Sequence, residues 1–168
     1  MKVDNFDIFF KNLMESYETP SDITWDNTNP YKLIGEFIVS DNLYRIDCIL
    51  YDNDIWTYKF SGFDPSSNTF TQDLVTTNPN DKMKVIGTIR TGMEYLIDIK
   101  HPKSIIYAAL DDSDGRKKLY SRFSNEIVKK FGYQYRTSLQ DSKQVFILYK
   151  DISIKLVIDV IGEIMNVI

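Results

Sequence analysis

Ser104-Ile105-Ile106-Tyr107-Ala108-Ala109-Leu110, then Asp111-Asp112-Ser113-Asp114-Gly115-Arg116-Lys117-Lys118-Leu119-Tyr120, then a run closing on Phe131-Gly132-Tyr133, is the stretch whose reading decides the fold. Its opening is a short apolar run of the kind that forms a buried central strand. Asp112, Ser113 and Asp114 then offer side-chain acceptors to the unsatisfied amides of a helix start. From there Leu119, Tyr120, Phe123, Ile127, Val128 and Phe131 recur at helical spacing, and Gly132 suits a left-handed stop. Strand followed by amphipathic helix implies an α/β layering in which the helix covers the sheet.

Upstream, a second helical period predicts a helix over 81–100, starting near Asn80 or Asp81, with Val85, Ile86, Ile89, Met93, Leu96 and Ile97 inward. Gly87 and Gly92 weaken its intrinsic helicity by about 1 kcal/mol each, or else permit close packing on the sheet. His101 and Pro102 end it. Earlier still the period is two: Tyr44, Ile46, Cys48 and Leu50 share one face and Arg45 and Asp47 the other. Polar turns at 40–42 and 52–54 separate this strand from one over 36–39 and another through Trp56, Tyr58 and Phe60, which predicts three antiparallel strands. An edge strand is expected over 70–75. The segment 21–31, rich in Asp, Asn, Thr and Pro around Trp25, reads as a loop with one buried aromatic anchor. Phe6, Phe9, Phe10, Leu13, Met14 and Tyr17 predict a first helix, capped by Asp4 or Asn5.

Downstream, 133–137 and 145–149 read as strands around a turn at Asp141 and Ser142. Leu156, Val157, Val160, Ile161, Ile164, Met165 and Ile168 then fall on one helical stripe, so a helix over about 152–168 either folds back on the sheet or joins two copies as a homodimer. The 168 residues suit a single domain with a core over about 6–150.

The order helix, antiparallel strands, helix, strand, helix, strand, strand resembles the GNAT acyltransferase superfamily. Ala108-Ala109-Leu110, Gly115 to Tyr120 and Phe131-Gly132-Tyr133 look like that family's late strand, its Leu-Tyr helix and its closing Gly-aromatic. The resemblance implies an α/β (α+β) class with a central mixed, largely antiparallel sheet flanked by helices, here with an added C-terminal helix. It also implies acetyl coenzyme A, whose pyrophosphate the family holds on backbone amides of an Arg or Gln and Gly-x-Gly or Gly-x-Ala segment at a helix start. This chain has Thr77-Asn78-Pro79-Asn80-Asp81-Lys82-Met83-Lys84 there, with no paired glycine and with Asp81 where the anion would arrive. No cofactor is therefore expected. Under the acyltransferase alternative, Lys82 and Gly87 are left to contact the cofactor, and Tyr120 matches the tyrosine that protonates the departing thiolate. Packing is the favoured account of Tyr120, since it shares the inner stripe with Phe123 and Ile127 and the cofactor loop is absent.

The remaining chemistry is sparse. A single His101 excludes a multi-histidine metal site, and beside Pro102 it reads as structural or exposed. Cys48 lies on the apolar side of its strand, which favours a core role, and no disulfide can form within one chain. Asp111, Asp112 and Asp114 lack the glycine and terminal glutamate of a calcium loop, so no metal is expected. Arg116, Lys117 and Arg122, with Lys129 and Lys130, form a basic helix face that reads as solvated surface or as a contact for a phosphate-bearing ligand. A net charge of -4 disfavours nonspecific nucleic-acid binding and leaves only a local contact. Hydrophobic residues at 43% and charged residues at 26% fit a globular chain, and no stretch is long and apolar enough to cross a bilayer. The single cysteine, Cys48, and an N-terminus without signal-sequence character fit a reducing cytoplasm. The richness in Asn, Asp, Ile, Lys and Tyr looks like small proteins of AT-rich tailed bacteriophages. That resemblance implies a binding protein acting on a host or phage macromolecule in host interaction or counter-defence, in the host cytoplasm, with a virion or assembly protein as a further alternative.

Overall fold

The computed structural model describes residues 20–72, 78–110 and 114–165, apart from the side chains at 110 and 114–116. The expected first helix, the caps at Asp112 and Ser113, and Ile168 lie outside them.

Three long antiparallel strands form one wing of the sheet: β2 (Lys32–Val39), β3 (Asn42–Tyr51) and β4 (Ile55–Asp64). The period of two holds. Tyr44, Ile46 and Cys48 are at most 1% exposed, while Arg45 and Asp47 on the opposite face are half-buried. Val39 pairs with Asn42 across a two-residue turn, Ser40-Asp41, in which both residues have positive φ. That is the turn geometry whose twist matches a hairpin, and small polar residues tolerate it.

The segment around Trp25 is not wholly loop. Thr24–Asp26 pairs with Glu36, Gly35 and Ile34 as a three-residue edge strand, β1. Its turn-favouring composition hides a strand whose pairing comes from β2, and Trp25, half-buried, stacks on Tyr95 at 4.6 Å. The expected edge strand at 70–75 is present as β5 (Thr69–Thr71), shorter and one residue earlier, with 73–77 outside the described residues.

Helix α1 (Pro79–Lys100) begins one or two residues before the predicted start. Asn78 is its N-cap and Pro79 its first residue, where a missing amide hydrogen costs nothing. The chain then enters β6 (Ser104–Leu110), folds back as α2 (Asp114–Phe131), and closes with the hairpin β7 (Gln134–Gln140) and β8 (Lys143–Tyr149). Gly132, at φ 76°, ends α2 as the sequence predicts. Asp141 and Ser142, both at positive φ, make the second two-residue hairpin turn.

The strand order is β1-β2-β3-β4-β6-β8-β7, with β5 beside β4. Every pairing is antiparallel except β4 with β6. The sheet is thus mixed, largely antiparallel and flanked by helices, the α/β arrangement expected from the element order. Val85, Ile89, Met93, Leu96 and Ile97 of α1 and Phe123 and Ile127 of α2 pack on one face, over Tyr44, Ile46, Tyr58, Tyr107 and Phe146.

The other face is covered by the expected C-terminal helix, α3 (Ile154–Ile164). Val157, Ile161, Ile164 and Met165 pack on Ile55, Ile106, Val145 and Ile147. Fully burying such a side chain is worth roughly 1.5–3 kcal/mol, so this half of the stripe is satisfied within the chain. Leu156 and Ile158 stay 37% and 38% exposed. Among the described residues no helix is long and apolar enough to cross a membrane.

Candidate functional site: a fork in the sheet roofed by two helices

The parallel ladder between β4 and β6 is short. Ile55, Trp56 and Thr57 pair with Ser104, Ile105 and Ile106, and pairing stops there although both strands continue. Beyond Thr57 the free edge of β4 turns to β5, through Gly62, Phe63 and Asp64. The strands therefore form a fork. Since α1 leads into the start of β6 and α2 leaves its end, both helices have their N-terminal ends at the open end of that fork. An N-terminal helix end carries a partial positive charge, so this is where an anion would be best received.

Asn78 closes the first of those ends. Its side-chain oxygen accepts from the Asn80 amide at 2.9 Å and from the Asp81 amide at 3.4 Å. The Asp81 carboxylate sits in the same turn and accepts from Ser40 Oγ at 2.8 Å. Lys82 is exposed in this turn, and Gly87 is buried further along α1. These residues do not fit a pyrophosphate: two of the amides it would need are taken, and a carboxylate stands beside them.

Aromatic side chains occupy the fork beneath the helices. Tyr58, the first residue of β4 past the ladder, donates from its hydroxyl to Ile89 O at 2.5 Å. Burial, then Cys48 and Tyr120 nearby, hold its phenol well above the ordinary range, so it stays protonated. Tyr107, the first residue of β6 past the ladder, stacks on Phe146 at 5.4 Å and meets Tyr120 and Phe123 edge-on at 5.5 and 6.2 Å. Its hydroxyl bonds Ser124 Oγ, and Ser124 itself donates to Tyr120 O at 2.6 Å. A serine has one proton to give, so Tyr107 is the donor to Ser124. Burial outweighs the Ser124 bond and pushes the Tyr107 phenol upward too. Neither buried tyrosine is suited to act as a base near neutral pH.

Tyr120 lies on α2, above the fork. It is half-buried and packs edge-on against Tyr107 and Phe146. Lys117 and Arg122 are both half-buried on α2. Five positions on a helix span about 140° of turn, so these two do not share a face, and the side chain of Arg116 is outside the described set. Lys130 is engaged with Glu94 of α1 at 3.1 Å. His101 is exposed and caps α1 in the left-handed conformation, its amide donating to Ile97 O at 3.0 Å. Burial, and then the neighbouring Asp47, push the Cys48 thiol up, leaving an inert core residue. No three His, Cys, Asp or Glu side chains among the described residues come together to hold a metal.

Sequence reasoning missed Tyr58, Tyr107 and Ser124. They join through contacts between distant segments, for which the sequence carries no local signal. It also missed Asn78-Pro79 as cap and first helical residue, a signal that was present.

No family model and no curated protein matches the chain. Among solved structures it is similar to a point variant of spermidine N-acetyltransferase from Vibrio cholerae, at 12% identity and a TM-score of 0.45, over 73% of this chain and 66% of that one. The chain therefore spans slightly under two thirds of that protein's length.

Proposed function

We propose that this chain is a binding domain on a GNAT-like scaffold and that it does not take up acetyl coenzyme A in that family's manner. The observation that carries this reading is the closed start of α1, where the Asn78 side chain occupies the Asn80 and Asp81 amides and Asp81 adds a negative charge. The tightly packed tyrosines beneath the helices support it, because they bond to the scaffold through Ile89 O and Ser124. Its partner is a host or phage macromolecule, and host interaction or counter-defence is the setting that composition suggests. Capture of partners on immobilised full-length protein, from phage-infected and uninfected cells, tests this. One protein retained at stoichiometric levels is the expected result, and no retained protein together with co-purified acetyl coenzyme A is the contrary one.

The acyltransferase reading has one observation in its favour, the placement of Tyr120 above the fork. It requires the cofactor to be held by something other than the capped Asn80 and Asp81 amides, with Lys82 and Gly87 as the nearest candidates of that segment. Self-association through α3 is a separate proposal and rests on Leu156 and Ile158, the apolar residues of that helix left partly in solvent.

A further inference from the structure

At the end of the sheet away from the fork, a cavity of about 420 Å³ opens between the β3–β4 turn, Tyr31 and α3. That volume lies within the roughly 300–1,000 Å³ of small-molecule sites. Its walls are held by bonds of the scaffold. The Leu50 amide donates to Tyr31 O at 2.9 Å, and the Lys103 amide to Asp54 O at 3.0 Å. Val157, Ile161 and Ile164 anchor α3 in the core, which places Val160 and Glu163 on the lining. The cavity is therefore formed before any ligand arrives.

The lining selects a chemistry. Leu50 and Val160 give it apolar sides, and Tyr31 and Tyr51 give it aromatic ones. Tyr31 is 67% exposed, a large ring left in water at the cavity's rim although its backbone alone makes the bond to β3. Every ionised lining residue is negative: Asp52, Asp54 and Glu163. Such a wall repels phosphates and carboxylates and attracts a cation, to the carboxylates by charge and to the ring faces by their quadrupole. A bare metal ion is the poorer match, since these carboxylates do not converge as a ligand set. Separated charges between apolar and aromatic surfaces suit a cation with a body.

We propose that this cavity binds a small organic cation, an ammonium or guanidinium group on an apolar stem. The head lies among Asp52, Asp54 and Glu163, and the stem lies on Tyr31, Leu50 and Val160. The site is at the opposite end of the sheet from the fork and goes beyond the function proposed above, so either can fail alone.

The test is a heteronuclear NMR titration of the full chain with argininamide, using citrulline amide as its neutral counterpart and magnesium as the metal probe. The proposal predicts saturable shifts at the amides of 31, 50–54 and 160–163 at argininamide concentrations up to about 10 mM, and none with citrulline amide. Because these carboxylates are exposed, Glu163→Gln and Asp52→Asn should each weaken binding by about two- to five-fold. Tyr31→Ala should weaken it as well. The proposal is overturned if argininamide gives no saturable shift, if citrulline amide binds as well, if the variants bind like the parent, or if magnesium gives the same shifts and argininamide does not compete.

Discussion

The hydroxyl of Tyr58 lies 2.5 Å from the carbonyl oxygen of Ile89, joining the strand that opens the fork to the helix that roofs it. Gly92, one turn further along α1, makes that approach feasible. A Cβ there would lie 2.8 Å from the Tyr58 hydroxyl and 2.6 Å from Ile46 Cδ1. The glycine that lowers helix propensity is thus the one that seats the helix.

Gly92→Ala should therefore destabilise the protein. Alanine regains about 1 kcal/mol of helix propensity, but overpacking a filled core costs typically about 1–3 kcal/mol. Urea unfolding should show a net loss, smaller in the background of Tyr58→Phe, where the hydroxyl is gone. A stabilised Gly92→Ala would mean that α1 does not approach the sheet this closely.

Ile161 and Ile158 lie on the same helix in opposite environments, 0% and 38% exposed. Ile161→Ala should cost about 2–5 kcal/mol, the range for emptying a buried isoleucine site, and Ile158→Ala less than about 1 kcal/mol. Equal losses would contradict the packing of α3 on the second sheet face. Sedimentation of Ile158→Glu beside the parent tests the self-association proposal separately, a parent dimer split by the variant being its expected result.

Glu126 gives a pH dependence of defined sign. Burial raises its carboxyl above the ordinary 4.5, against the pull of Arg90 and Lys129 and with the push of Glu94. Arg90 Nη1 is 2.9 Å from Glu126 Oε2, yet that oxygen lacks an aligned hydrogen bond. A group whose folded pKa is raised adds stability below its unfolded pKa and loses it as pH rises through the folded value. Relative to Glu126→Gln, the parent should gain stability as pH falls from neutral towards 4.5, and at neutral pH the variant should be at least as stable. The opposite slope in paired thermal melts would show that the Arg90 ion pair dominates.

Much of the fold was legible because its signals are local. Alternation marked β3 through Tyr44, Ile46 and Cys48, helical spacing marked α2 through Phe123 and Ile127, and Gly132 marked its end. Short strands were not, since Thr24–Asp26 takes its structure from β2 and its composition reads as turn. The fork could not be read either. It arises where pairing between Thr57 and Ile106 ends, a property of two strands far apart in sequence. The stretch 77–84 shows the missing glycines and Asp81 in sequence, and its Asn78-Pro79 pair is a local helix-start signal as well, one that sequence reasoning missed.

The most direct test of the central claim is calorimetric titration of acetyl coenzyme A into the parent and into a variant combining Asn78→Gly with Asp81→Ala. With the start of α1 closed as described, the parent should bind no tighter than about the millimolar range, roughly 4 kcal/mol of binding free energy. The variant, with its amides released and the carboxylate removed, should bind more tightly than the parent. Micromolar binding by the parent, weakened by Tyr120→Phe or Lys82→Ala, would contradict the account and put the acyltransferase reading, with an unconventional cofactor site, ahead of it.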